Sequence, residues 1–159
     1  MTETPIELIH VQSGPQLAHV RALFEEYAAT LGVDLCFQNF GTELAKLPWE
    51  YVAPEGRLLL AATPTDVAGC IALRKIAGDT CEMKRLYVRP AFRGLRIGRM
   101  LVTALIEEAR HIGYARMRLD TLPSMTEAAA LYRSFGFREI APYRYNPVEN
   151  SVFMELELG

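Results

Sequence analysis

The stretch RLYVRPAFRGLRIGRMLVTALIEEARHIGYARMRLDT, residues 85–121 of a 159-residue chain, decides how the fold is read. An apolar extended run ends at Pro90, which has no N–H to continue a strand ladder. A turn of Arg93, Gly94, Leu95, Arg96, Ile97 and Gly98 follows, and a helix opens at about Arg99. Leu101, Leu105 and Ile112, with Val102, Ile106 and Ala109 beside them, give that helix an apolar side, and Gly113 is its natural stop. The alternating ARMRLDT then reads as a strand, so the segment is one strand-helix-strand crossover.

Outward from this unit the chain reads as strands and helices in a short cycle. Residues 6–11 form a first strand, and Leu17, Val20, Leu23, Phe24 and Tyr27 lie at helical spacing in a helix that Gly32 would end. A shorter helix covers residues 42–51, where Pro48 marks a break or an end. Residues 56–63 and 66–76 are apolar runs joined through Pro-Thr-Asp as a hairpin, and residues 80–88 extend the meander. A helix over residues 126–136, closed by a glycine, precedes two final strands, FREI and SVFMELEL. The expected fold is mixed α/β: a largely antiparallel sheet of about six to seven strands flanked by about four helices, as one domain over residues 1–159.

Composition narrows the function. Half of the residues are hydrophobic and the formal charge is -2, which excludes the basic footprint of a nucleic-acid or anionic-membrane binder. No window approaches the roughly 20 apolar residues of a spanning helix, and the amino terminus carries an early acid and no leader pattern, so a soluble cytoplasmic protein is expected. Cys36, Cys70 and Cys81 are odd in number and scattered, with no CxxC, so the expectation is buried thiols and no metal. His10, His19 and His111 lie far in sequence from the basic turn.

A helix amino terminus presents unpaired N–H groups and a partial positive charge, and here Arg93, Arg96 and Arg99 surround it while Gly94 and Gly98 let a ligand approach the backbone. That is a phosphate or pyrophosphate site. A P-loop would need GxxxxGK followed by Ser or Thr, which is absent; a dinucleotide fold has Asp120 at about the right distance but lacks the glycine triplet.

The segment LYVRPAFRGLRIGRMLV resembles the acyl-CoA-binding motif of the GCN5-related N-acetyltransferases (GNAT), and AAALYRSFGF resembles the family's second signature, a helix ending in Leu-Tyr before a Gly-Phe turn. The resemblance runs over residues 6–158. Two positions depart from the pattern: Arg96 stands where the family has its first glycine, acceptable if its φ is below zero, and Met125 stands where many members have an asparagine.

The resemblance implies an acyl-CoA-dependent N-acetyltransferase that moves acetyl, or a related short acyl group, from CoA to a primary amine by direct attack. It implies that the backbone of Leu86, Tyr87 and Val88 pairs with the pantetheine arm and that the turn Arg93-Gly94-Leu95-Arg96-Ile97-Gly98-Arg99 holds the pyrophosphate. It further implies that the Leu86 N–H stabilises the thioester oxygen, that Tyr132 protonates the leaving thiolate, and that Glu82 is the general base. On a strand of alternating sides Glu82 shares a face with Lys84, Leu86 and Val88, provided no bulge intervenes. The acceptor side is expected in the family's variable segments, here with Phe37, Gln38 and Phe40, and with Tyr143, Arg144, Tyr145 and Asn146, Arg144 being able to read a carboxylate. A small-molecule amine is the expected partner, with no nucleic acid and no membrane, and the family's habit makes a homodimer an expectation. Two alternatives stand beside this: a non-catalytic acyl-CoA-binding or sensing module, and a protein-lysine or N-terminal acetyltransferase.

Overall fold

The computed structural model describes residues 5–31 and 40–159. Strand β1 (Glu7–His10) leads into helix α1 (Gln16–Leu31) and, after the short helix α2 (Phe40–Ala45), the meander β2 (Arg57–Ala62), β3 (Val67–Ala77) and β4 (Thr80–Val88). Helix α3 (Ile97–Ile112) crosses to β5 (Arg116–Thr121), and α4 (Thr126–Ser134), β6 (Arg138–Ile140) and β7 (Val152–Glu157) close the chain. The expected crossover, meander and terminal pair are all present. Two boundaries move: α3 begins at Ile97 rather than Arg99, and α2 spans residues 40–45, with turns through Pro48 in place of a helix to residue 51. Gly32, expected to stop α1, lies outside the described residues.

The strands form one seven-stranded sheet in the order β1-β2-β3-β4-β5-β7-β6, antiparallel at every pairing except β4 with β5. Both faces of its centre are covered, which explains why β2 reads as an unbroken apolar run. Leu59 and Ala61 pack with Leu101, Val102 and Leu105 of α3, while Leu58 and Leu60 pack with Val20, Leu23 and Phe24 of α1. These leucines are almost wholly buried, and each contributes about 1.5–3 kcal/mol relative to an exposed side chain. Helix α3 ends where Gly113 takes a φ of 109° and its N–H returns to the Ala109 and Arg110 carbonyls.

Two irregularities in β4 position everything that follows. Its pairing with β3 runs Lys75↔Cys81, Leu73↔Met83 and Ala72↔Lys84, then slips by one residue to Cys70↔Tyr87 and Gly69↔Val88. The bulge falls at Arg85, which adopts a left-handed φ of 60°. An extra residue reverses the alternation: Met83 and, past the bulge, Leu86 and Val88 pack on the α3 side, whereas Tyr87 packs on the α1 side. Glu82 therefore does not share a face with Leu86 and Val88, correcting the expectation drawn from unbroken alternation.

The second irregularity is a divergence. The β4–β5 pairs are Thr80↔Arg116, Cys81↔Met117 and Glu82↔Arg118, and there the register ends. Beyond it β4 stays with β3 as far as Val88, and β5 stays with β7 as far as Thr121. The sheet opens between them.

Candidate active site

The open edge of β4 leads into the basic turn. A groove of about 730 Å³ runs from Leu86, Tyr87 and Val88 past Arg93, Gly94 and Arg96 to the start of α3. The first intrahelical bond there is Met100 N–H to the Arg96 carbonyl, which leaves the N–H groups of Ile97, Gly98 and Arg99 as helix-end donors. Gly94, at φ 85°, has nothing near its missing side chain, so the turn is both tight and open. N–H donors, the positive end of the helix dipole and arginines converge on this groove, an arrangement suited to an anion. Leu95 points away, half exposed at 53%, and is not among the lining residues. Arg93 donates from Nε to the Val88 carbonyl at 3.2 Å, and Arg99 reaches Ser134 Oγ at 3.0 Å across to α4.

At its inner end the groove meets a second cavity of about 40 Å³, set in the opening between β4 and β5. Leu86, Met125 and Tyr27 border both spaces, so Leu86 stands at the junction. Lys84 and Arg85 line the cavity from β4, Asp120 and Thr121 from β5, Tyr132 from α4 and Asn146 from the β6–β7 connection. The Tyr132 ring leans on Phe137 at 5.8 Å between centroids, and burial, with Tyr27 and Asp120 adding, pushes its phenol far above the ordinary range. Its hydroxyl keeps its proton at neutral pH. Asn146 Nδ2 donates to Asp120 Oδ2 at 3.1 Å, and the buried Thr121 hydroxyl has no hydrogen-bond partner among the described residues.

The profile of the family described as "Acetyltransferase (GNAT) family" matches residues 20–137, which span the meander, the basic turn, the crossover and α4. The chain belongs to this family. A Schizosaccharomyces pombe protein named an uncharacterized N-acetyltransferase is 41% identical over 161 residues, covering 100% of this chain and 99% of its own. Among solved structures, a GNAT-family acetyltransferase of Staphylococcus aureus superposes with a TM-score of 0.81 at 20% identity, over 98% of this chain and 100% of that one. The Salmonella typhimurium protein yncA, described as a putative acetyltransferase with its cofactor acetyl-CoA, gives a TM-score of 0.66 at 24% identity, over 97% and 94% of the two chains.

Within the GNAT frame the two departures now have geometry. Arg96 has φ 62° and ψ 22°, so it takes the left-handed conformation a glycine would take; the expectation of a negative φ is corrected. The turn keeps its backbone path despite the side chain, at a steric cost of about 1–2 kcal/mol. Met125 stands immediately before α4 and borders both groove and cavity, placing a thioether there instead of an amide.

The remaining expected residues divide. Glu82 is fully buried but does not line the cavity. It accepts hydrogen bonds from Arg74 Nε at 2.9 Å and Tyr143 Oη at 2.6 Å, and it is ion-paired with Arg144. Tyr143 and Arg144, expected to meet the acceptor, are engaged on this carboxylate and are not among the cavity's lining residues. Phe37 and Gln38 lie outside the described residues. The sequence reading missed Lys84, a buried amine two positions before Leu86, and undervalued Asp120. The signal for Lys84 was a charged triplet, Glu82, Lys84 and Arg85, in a strand predicted to lie inside the sheet, where each charge is unfavourable unless paired or used.

Among the described residues there is no cluster of His, Cys, Asp or Glu able to hold a metal, and no helix long and apolar enough to cross a membrane.

Proposed function

We propose that this GNAT protein transfers an acetyl group from acetyl-CoA to the primary amine of a small molecule, by direct attack in a ternary complex within one catalytic domain. The observation that carries the reading is the meeting of two spaces at Leu86: a long groove ending in helix-end donors and a small polar cavity in the opening between β4 and β5. The pyrophosphate lies against the N–H groups at the start of α3, and the pantetheine arm runs along Leu86, Tyr87 and Val88, whose edge has lost its β5 partner. The thioester then sits at the junction. The Leu86 N–H faces the oxygen that becomes negative on attack, a fixed donor that needs no reorganisation.

Tyr132, with its proton held firmly, donates a hydrogen bond to the departing sulfur; a thiolate of pKa about 8.5 then takes its proton through this hydroxyl or a water beside it. The acceptor cavity is enclosed by α1, both open strands and the β6–β7 connection, which favours a small amine over a polypeptide.

The test is free-thiol release from acetyl-CoA across a panel of small amines and of peptides with free amino termini or lysines. Turnover on a small amine, slowed in Tyr132→Phe with acetyl-CoA affinity retained, is the expected result. Tight CoA binding with no amine-dependent thiol would leave a non-catalytic acyl-CoA module, and turnover confined to peptides would overturn the small-molecule reading.

A further inference from the structure

An alkylammonium of pKa about 10 is not a nucleophile, so the transfer needs a group that takes a proton from the acceptor. The carboxylate favoured by sequence, Glu82, does not line the cavity and has both oxygens occupied by Arg74, Tyr143 and Arg144. Lys84, two residues further along the same face, does line it. It is 6% exposed and lines the cavity with Leu86 and Tyr132, on the stretch of β4 that β5 has left. Burial pushes its amine down to about 7, the charges of Arg85 and Arg74 acting in the same direction while Asp120 and Glu43 oppose them.

The charged and titratable groups around Lys84 come from every neighbouring element. Arg85 follows it on β4 and is closed by Glu43 of α2 through a bidentate pair. Arg74 of β3 is held by Glu82 and by Glu50, and Asp120 of β5 accepts from Asn146. Tyr27 of α1 and Tyr132 of α4 border the cavity, but burial raises both phenols, Tyr27 to about 12, so neither accepts a proton near neutrality. Lys84 is then the cavity amine that changes charge across the neutral range.

We propose that Lys84 is the general base of this site, its unprotonated amine taking the proton that converts the bound acceptor from ammonium to nucleophile. This rests on the acetyltransferase reading above. The acceptor enters with its positive charge drawn to Asp120 and gives one proton to Lys84 Nζ. The freed nitrogen lone pair forms the N–C bond, and the C–S bond breaks with its electrons on sulfur. The second proton leaving the nitrogen ends on that thiolate through Tyr132 or water, and Lys84 returns its own to solvent. The burial that lowers the pKa of Lys84 also disfavours a charged ammonium on the acceptor, which eases the proton's transfer.

The pH dependence of kcat/KM tests this on any amine that releases thiol. The wild type is expected to gain activity through an acid limb with a midpoint near 7, and Lys84→Met and Lys84→Arg to lose that limb and about 10²-fold or more in rate. Calorimetry with acetyl-CoA on both variants shows whether the donor site is intact. Glu82→Gln is expected to leave the midpoint in place. Unchanged rates and an unchanged limb in the two lysine variants, or a limb that disappears with Glu82→Gln instead, would overturn the assignment while the acetyltransferase reading stands. An NMR titration of the lysine Cε–Nζ groups supplies a readout independent of any acceptor: a Lys84 still charged at pH 9 sinks the proposal. Failure of every amine to release thiol sinks the parent reading and this one with it.

Discussion

Replacing Glu43 tests whether the β4 bulge is held in place by the ion pair beneath it. Arg85 has a left-handed φ of 60° inside a strand, and its guanidinium meets Glu43 through Nε at 2.9 Å and a terminal nitrogen at 2.8 Å. The two side chains are 3% and 1% exposed, and the Phe40 ring lies 5.1 Å beneath the guanidinium. Burial alone would pull Arg85 down, yet the hydrogen bonds and charge of Glu43 hold it above its ordinary value. Removing the carboxylate leaves a guanidinium buried without its counter-charge, which costs about 3–5 kcal/mol.

Against a typical total of about 5–15 kcal/mol this is a large fraction. With a urea dependence of about 2 kcal/mol per molar, Glu43→Ala should lower the denaturation midpoint by about 2 M, and Glu43→Gln, which keeps the shape and an acceptor oxygen, by less. The double variant Glu43→Leu/Arg85→Met removes both charges and should recover much of the loss. Because the bulge sets the backbone at Leu86, folded Glu43→Ala should also bind acetyl-CoA more weakly by calorimetry. A midpoint for Glu43→Ala within about 0.5 M of wild type would refute the idea that this pair holds the bulge, and so would a double variant less stable than either single one.

Lys84 carries the opposite sign. Its folded pKa, about 7, lies below the unfolded lysine value of about 10.4, so the unfolded chain binds the extra proton between the two, and wild-type stability should rise with pH through that window. Lys84→Met should therefore be the more stable protein at pH 6 in urea melts, with the advantage shrinking towards pH 10; a constant difference would contradict the burial. At Arg96, a glycine relieves the left-handed strain but loosens the unfolded chain. Arg96→Gly should thus melt level with wild type or up to about 1 kcal/mol above it, whereas Arg96→Val should lose about 1–2 kcal/mol, and the reverse order would be decisive against it. Gly69 faces the bulged end of β4, where an added Cβ would stand 2.4 Å from the Tyr87 carbonyl oxygen and 3.2 Å from Val88 Cα. Gly69→Ala should cost about 1–3 kcal/mol and weaken acetyl-CoA binding, and normal values of both would show that β4 is free to move.

The architecture was legible because it is written in local chemistry. Gly113 and Gly136, the apolar side of α3 and the basic turn before it are signals that need no tertiary context. The groove leading to the start of α3 followed from the same turn. The lining of the inner cavity was not legible, because it depends on a register slip at a single residue. Nothing in Cys81-Glu82-Met83-Lys84-Arg85-Leu86 announces that Arg85 turns left-handed; the conformation is tied to Glu43, 42 residues away. Period-two reasoning through that point put Leu86 and Val88 on the face of Glu82 and Lys84, which the slip denies them. Arg96 failed for the related reason that a side chain's usual preference for negative φ was trusted where the turn's geometry prevails.

The slit between β4 and β5 has one more consequence. Each strand departs from the other because it is already committed elsewhere, β4 to β3 and β5 to β7, along its full outer length. The opening is thus written into the pairing of the sheet itself, and no ligand has to part the two strands.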